Sequence, residues 1–536
     1  MKKLKKAAGV FLALMLAMVT LLGTGTAARA DDTNSLTITN EGESAHTFEL
    51  YQIFTGDYDQ AQRVLSNIQW GSGVTSAGQT AYGTAADKAK TLADGGAAAA
   101  TAFADDLIKN TYLTLPTAST EVAAGANYKF DSLAAGYYLV VDQAGTQTNV
   151  ENGAYTSYIF QVVGAVVQNT KLDVPTIKKQ VADSNDSIAA AVTEPTKVEA
   201  ADWHDTADHD IGDSIPYRIT GTLPTERFSE YEKYTTYTIT DTLSAGLTPP
   251  AADTVKVYLE TRGDDNQIVS TDITSDFTIT VDGQVLTVAL ASGKDMKQIA
   301  KTAADKIVVL YNATLNNKAV IGGSGNPNTV NLQYSNNPNQ GGDGEKGKTP
   351  DDKNVVFTYE LDVNKFRDDK NDKTNEAEFK LYKEYVDGDS KTVKEVALNK
   401  TGGTDQKTYV AQGLDDGIYI LQETVAPTGY NKIDGSVTFG GTTYSNAVEF
   451  QVMPTYEGGA TPQVTDLQVT RLSGAQAVFT GDEKTGKIST DIIDQKGSSL
   501  PSTGGIGTKI FYALGSVLVI GAVVVLITRR RMNKKS

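Results

Sequence analysis

Stretches such as YTTYTITDTL (Tyr234–Leu243), FTITVDGQVLTVAL (Phe277–Leu290) and YVAQGLDDGIYILQET (Tyr409–Thr424) alternate apolar and polar residues with a period of two and are punctuated by Gly, Asn and Pro. That period puts alternate side chains on opposite faces of a strand, so each segment has one face to bury, and the repeated pattern predicts an all-β chain of sandwiches. One segment departs from it. Thr84 to Asn110 is Ala-rich, with apolar positions at Leu92, Phe103 and Leu107, and predicts a helix inserted in the first domain. Composition shifts near Lys171–Pro175 and in the Gly- and Pro-rich stretch Ser335–Asn354 divide the chain into expected domains at 31–172, 173–345 and 346–498.

The two ends fix the compartment. Residues 1–30 carry Lys2, Lys3, Lys5 and Lys6, then an apolar run from Val10 to Leu22, then Ala28 and Ala30, the pattern of a secretory signal cleaved after Ala30. At the other end Ile510–Ile527 has no charged residue and as a helix would span roughly 27 Å, enough for a bilayer core, with Arg529, Arg530 and Arg531 on the inner side. Directly outside that span stands Leu500, Pro501, Ser502, Thr503, Gly504. Pro501 fixes φ and keeps the segment extended.

Removing the five cations of residues 1–30 and the six of residues 504–536 from the formal charge of −17 leaves −28 on residues 31–503. Such acidity disfavours nucleic acid and favours a soluble, self-repelling surface. The chain has no cysteine, so an exported multidomain protein must be held by something other than disulfides.

Other motifs carry less. Gly342, Gly347, Lys348 and Thr349 spell a phosphate-loop pattern, but Pro350 follows where a helix should begin, so the stretch reads as linker. DWHDTADHD, with His204 and His209, reads as a solvated loop and not as a metal site; His46 is the third and last histidine. No G-x-S-x-G elbow is present, and no metal or cofactor is expected.

The order Leu-Pro-x-Thr-Gly, apolar span, basic tail resembles the cell-wall sorting signal of Gram-positive surface proteins. The resemblance implies a sortase whose cysteine attacks the Thr503 carbonyl and releases Gly504 onward. LDVNKF (Leu361–Phe366), AEFKLYK, LQETVAPTGY (Leu421–Tyr430) and STDIIDQKG before the sorting signal resemble the Cna B-type domain and E-box of the sortase-assembled backbone pilins. Such domains carry an intramolecular isopeptide bond, which assigns Lys365 as nucleophile, Asp494 as acceptor and Glu423 as proton carrier. The usual acceptor is Asn, so Asp494 implies loss of water instead of ammonia. Alternation places Val363 with Lys365, and Ile492 with Asp494, on single faces. Burial should push the lysine and Glu423 toward their neutral forms.

TIKKQV (Thr176–Val181) turns Ile177, Lys179 and Val181 inward and Lys178 outward. By resemblance to the middle pilin domain, Lys179 is the nucleophile, Asp241 the proton carrier and Asn328 the acceptor, with Asn326 and Asn331 competing. The pilin motif Tyr-Pro-Lys-Asn, which carries the lysine that joins subunits, is missing from QVVGAVVQNTKLDVPTIKKQV (Gln161–Val181). Lys171 is the first choice for that lysine and Lys178 the second. The implied fold is a row of Ig-like sandwiches with a transmembrane helix in the precursor. The implied function is a structural, non-enzymatic subunit of a wall-anchored pilus that supports adhesion. Its implied partners are sortase, neighbouring subunits, peptidoglycan, minor pilins and a host surface ligand. The alternative is a monomeric wall-anchored adhesin that binds through residues 31–172.

Overall fold

The computed structural model describes residues 34–497, apart from 43, 60–63, 148–150, 163–164, 171–173, 225–227, 229–233, 264–265, 338–343, 375 and 402–407, and also residues 506–532. The signal segment 1–30, the motif Leu500–Gly504 and Lys171 lie outside the described residues.

In the first domain a three-stranded sheet (127–133, 34–39, 165–169) faces a five-stranded one built on 46–59 and 136–142. Leu36 and Ile38 pack on Phe48, Leu50, Tyr138 and Val140 between the sheets. The opposite face of the larger sheet, with Ile53, Phe54 and Leu139, is covered by the helix Ala85–Lys109 through Leu92, Phe103 and Leu107. This is the expected insertion. Thr84 caps it, accepting from the Asp87 N–H at 3.2 Å, and Asn110 closes it. Buried on both faces, Gly136–Asp142 reads GYYLVVD with little alternation.

The middle domain stacks two large sheets. One runs in the order 203–204, 177–182, 214–221, 306–315, 256–262, 268–272, and the other 206–208, 352–357, 326–335, 237–243, 285–290, 277–282. Tyr217, Ile219, Val309 and Tyr311 of the first meet Tyr237, Ile239, Val330 and Leu332 of the second. In the third domain the first strand, Tyr359–Arg367, pairs in parallel with the last, Lys487–Asp494, and closes the sandwich against the sheet holding Gly417–Val425. Ile506–Met532 is a separate helix, and Lys509–Met532 has mean hydropathy 2.7 and is not buried, long and apolar enough to cross a membrane.

Two expectations change here. The described residues of the stretch 335–354 are not a free linker: Lys346–Lys348 pairs with Gln333–Ser335, and Asp352–Val356 pairs with Asn326–Val330. The apolar run NVVFTYELDV divides its burial between two cores, Val356 in the middle domain and Phe357 in the third. The third domain therefore begins near Tyr359 instead of at 346. DWHDTADHD is not a solvated loop either. Thr206–Asp208 is a strand beside Val355–Phe357, and Asp208 and His209 are buried where the two domains meet. His209 Nε2 lies 3.0 Å from Ala182 O, whereas His204 is exposed.

That joint is tightly built. Ser187 of the middle domain donates to Glu384 O (2.7 Å) and accepts from the Ile418 N–H (3.0 Å) of the third. Gly322 and Gly486, both at positive φ, meet so closely that a Cβ on Gly486 would lie 2.4 Å from Gly322 Cα. Lys383, fully buried, extends its Nζ to Asp186 (2.8 Å), Asp210 (2.7 Å) and Asp415. Burial alone would lower the lysine, but the three carboxylates hold it well above its ordinary value as a fixed cation. These acids are the one group with metal-ligand spacing among the described residues, and Lys383 occupies their centre.

The remaining acids make the joint pH-sensitive. Burial, with the Asp183 charge, pushes Asp416 up to about 7, and burial beside Glu449 pushes Glu384 up to about 8. Each binds its proton more tightly folded than unfolded. Stability is therefore greatest near pH 4 and falls as pH rises toward 7 to 8, where the folded groups finally ionise. The acids held low, Asp213, Asp272 and Asp482, act below this window. The thermal midpoint of residues 31–498 is expected to drop between pH 5 and pH 8, and calorimetry across that range checks it; a flat or rising midpoint contradicts it.

Candidate lysine and acid centres

Three lysines are buried among the described residues, Lys179, Lys365 and Lys383, and none lies in the first domain. Lys383 is the clamp already described. The other two stand at the cores of their sandwiches.

Alternation on Tyr359–Arg367 turns Leu361, Val363 and Lys365 inward together. Parallel pairing sets Lys365 opposite Ile492, so Asp494 projects on the same face one step along. Lys365 Nζ touches Asp494 and lies 3.1 Å from Glu423 Oε1, with all three side chains almost fully buried. Neither Lys365 Nζ nor the Asp494 oxygens are aligned as a hydrogen bond. Glu423 reaches in from the opposite sheet, and its Oε2 accepts from the Ile433 N–H at 2.8 Å. Burial pushes Glu423 up to about 7 against the pull of the Lys365 charge, so a large fraction of it is neutral near pH 7.

In the middle domain the partners come from both sheets. Lys179 lies on one; Asp241 and Asn328 lie on neighbouring strands of the other, where Asp241 opposes Val330 and Leu243 opposes Asn328. Lys179 Nζ is 2.8 Å from both Asp241 oxygens and 2.8 Å from the Tyr311 hydroxyl. Asn328 Nδ2 donates to the same hydroxyl at 2.8 Å, and Tyr311 donates to Asp241 Oδ2. Burial lowers Lys179 despite the Asp241 carboxylate, which favours the neutral amine.

Of the competing acceptors, Asn326 is tied to Val320 and to Val356 O, and Asn331 donates to Asp351 on the outer face. Lys178 is exposed, 3.6 Å from Asp205. Sequence reading missed Tyr311 and Lys383. Both continue an inward alternation, Val309-Tyr311-Ala313 and Phe379-Leu381-Lys383, which is the signal that could have found them.

Residues 211–338 match the model of the Gram-positive pilin backbone subunit 2, Cna-B-like domain; residues 359–451 match a prealbumin-like fold domain, and residues 493–534 the LPXTG cell wall anchor motif. The chain is 25% identical over 581 residues to the trypsin-resistant surface T6 protein of Streptococcus pyogenes serotype M6, covering 96% of this chain and 99% of that one. Among solved structures, the T6 backbone pilin of the same serotype has a TM-score of 0.48 at 16% identity, and the major pilin SpaD of Corynebacterium diphtheriae 0.44 at 17%. Each covers 88% of this chain and 100% of its own. With its matched pilin-backbone and prealbumin-like domains followed by the wall-anchor motif and apolar helix, the chain is similar over nearly its whole length to a Gram-positive surface protein and carries the anchor of proteins held at the cell wall and surface.

Proposed function

We propose that this chain is the repeating subunit of a covalent pilus, polymerised by sortase at Thr503 and stapled internally by Lys179–Asn328 and Lys365–Asp494 isopeptide bonds. The observation that carries the reading is the pair of buried lysines in a chain without cysteine, Lys365 against Glu423 and the Asp494 carboxyl, and Lys179 against Asp241 and joined to Asn328 through the Tyr311 hydroxyl.

A buried charged pair contributes little net stability unless well hydrogen-bonded, and the Lys365 contact is not. Reaction removes both charges. Lys365 first gives one proton to the Asp494 carboxylate; neutral Nζ then adds to Asp494 Cγ, a second amine proton passes through Glu423 to the departing hydroxyl, and water leaves. Glu423→Gln keeps an acceptor for the Ile433 N–H but cannot carry the proton. The third domain of that variant should fold and keep its water, as read from the mass of its isolated peptides; loss of water at the normal rate would remove Glu423 from the role.

Between subunits, the acyl group at Thr503 goes to Lys171, or to Lys178. Peptides from wall-extracted fibres, sequenced by mass spectrometry, should contain Thr503 joined to one of these two lysines. Extracts with no covalent oligomers would support the monomeric adhesin instead.

A further inference from the structure

We propose that Tyr311 is a catalytic proton relay for the Lys179–Asn328 bond, delivering to the departing amide nitrogen the proton that Asp241 takes from Lys179. This rests on the reading that the bond forms.

Asn328 Nδ2 must leave as ammonia, since an unprotonated amide nitrogen is a very poor leaving group. Asp241 is placed to take a proton from Nζ, with both oxygens at 2.8 Å. Among the described residues, the hydrogen-bond partner of Nδ2 is the Tyr311 hydroxyl at 2.8 Å, and that hydroxyl in turn donates to Asp241 Oδ2. The hydroxyl thus touches the nucleophile, the acid and the leaving group together. Its ring is held by stacking on Tyr217, with centroids 5.2 Å apart and planes 9° from parallel.

The step balances. Neutral Nζ adds to Asn328 Cγ, and Asp241 removes one Nζ proton. Tyr311 then gives its proton to Nδ2 and regains one from Asp241 as the C–N bond breaks, yielding the new amide and ammonia. Burial beside Asp241 keeps the phenol well above its ordinary pKa, so it holds a proton to pass on. The third-domain centre works without such a bridge. There Glu423 lies 3.1 Å from Nζ, and the buried Tyr409 gives its hydroxyl to Ala377 O.

The test follows residues 31–498 made by cell-free synthesis, with peptide masses read over time and the third-domain water loss as an internal clock. Tyr311→Phe should slow the middle-domain ammonia loss by roughly 100-fold, the lower range for a positioned acid or base, and leave the clock unchanged. Ammonia loss at the normal rate in that variant would overturn the relay while the bond stands. Difluorotyrosine at 311 keeps the shape but is more acidic. A changed rate supports proton transfer, and an unchanged rate reduces Tyr311 to packing. If the unmodified protein never loses ammonia from this domain, the bond itself is wrong and the relay falls with it.

Discussion

Pulling a polymerised fibre end to end should release neither the middle nor the third domain as a whole. If the two proposed bonds form, tension entering near Asp494 crosses to Lys365, runs back along the chain to Asn328, crosses to Lys179 and leaves toward the proposed linking lysine, Lys171. Both sandwiches are thereby bypassed by covalent bonds. The compliant part of this path is residues 329–364, about 36 residues, which at full extension supply at most roughly 120 Å. Those residues include the paired strands 346–348 and 352–357, so even this release must first peel two ladders. Asp494→Ala removes the acceptor yet leaves Lys365 with Glu423 at 3.1 Å. Its third domain should then unfold under load, with a gain of roughly 400 Å from about 130 residues. Steps of that length in unmodified fibres would show that load does not pass through the staples.

The second large effect is thermal. Asn328→Ala deletes the acceptor while Lys179 keeps both Asp241 oxygens and the Tyr311 hydroxyl, and Asn328 Oδ1 has no hydrogen-bond partner to lose. The variant also loses the Asn328 Nδ2 bond to that hydroxyl, worth about 1 kcal/mol, so most of its effect is the cross-link. A staple closing about 150 residues is worth on the order of 5 kcal/mol by chain entropy. For a domain of this size that is a fall of roughly 10 to 20 °C in the melting of the middle domain alone. Calorimetry of residues 31–498 checks it; a shift below a few degrees would mean that no cross-link was lost.

Much of both centres was legible because a strand announces its faces. A lysine in phase with apolar neighbours, as Lys365 is with Leu361 and Val363, has to be buried, and a buried lysine needs a partner. The helix at 84–110 was legible through its alanine content and the spacing of Leu92, Phe103 and Leu107. Burial created between domains was not. Asp208, His209 and Asp415 sit in polar sequence, and only the docking of one sandwich on the other covers them. Lys383 was hidden further by lying in a segment of alternating lysines and aromatics, where a solvated reading is the default. The domain boundary failed because Asp352–Arg367 runs almost unbroken from one sandwich into the next, with Gly and Pro clustered before the crossing instead of at it.

The central claim is that two buried lysines have reacted, and the intact mass of recombinant residues 31–498 tests it most directly. The expected mass lies below that of the sequence by one ammonia and one water, with the ammonia missing from the peptide pair holding Lys179 and Asn328 and the water from the pair holding Lys365 and Asp494. A folded protein at its full sequence mass would contradict it.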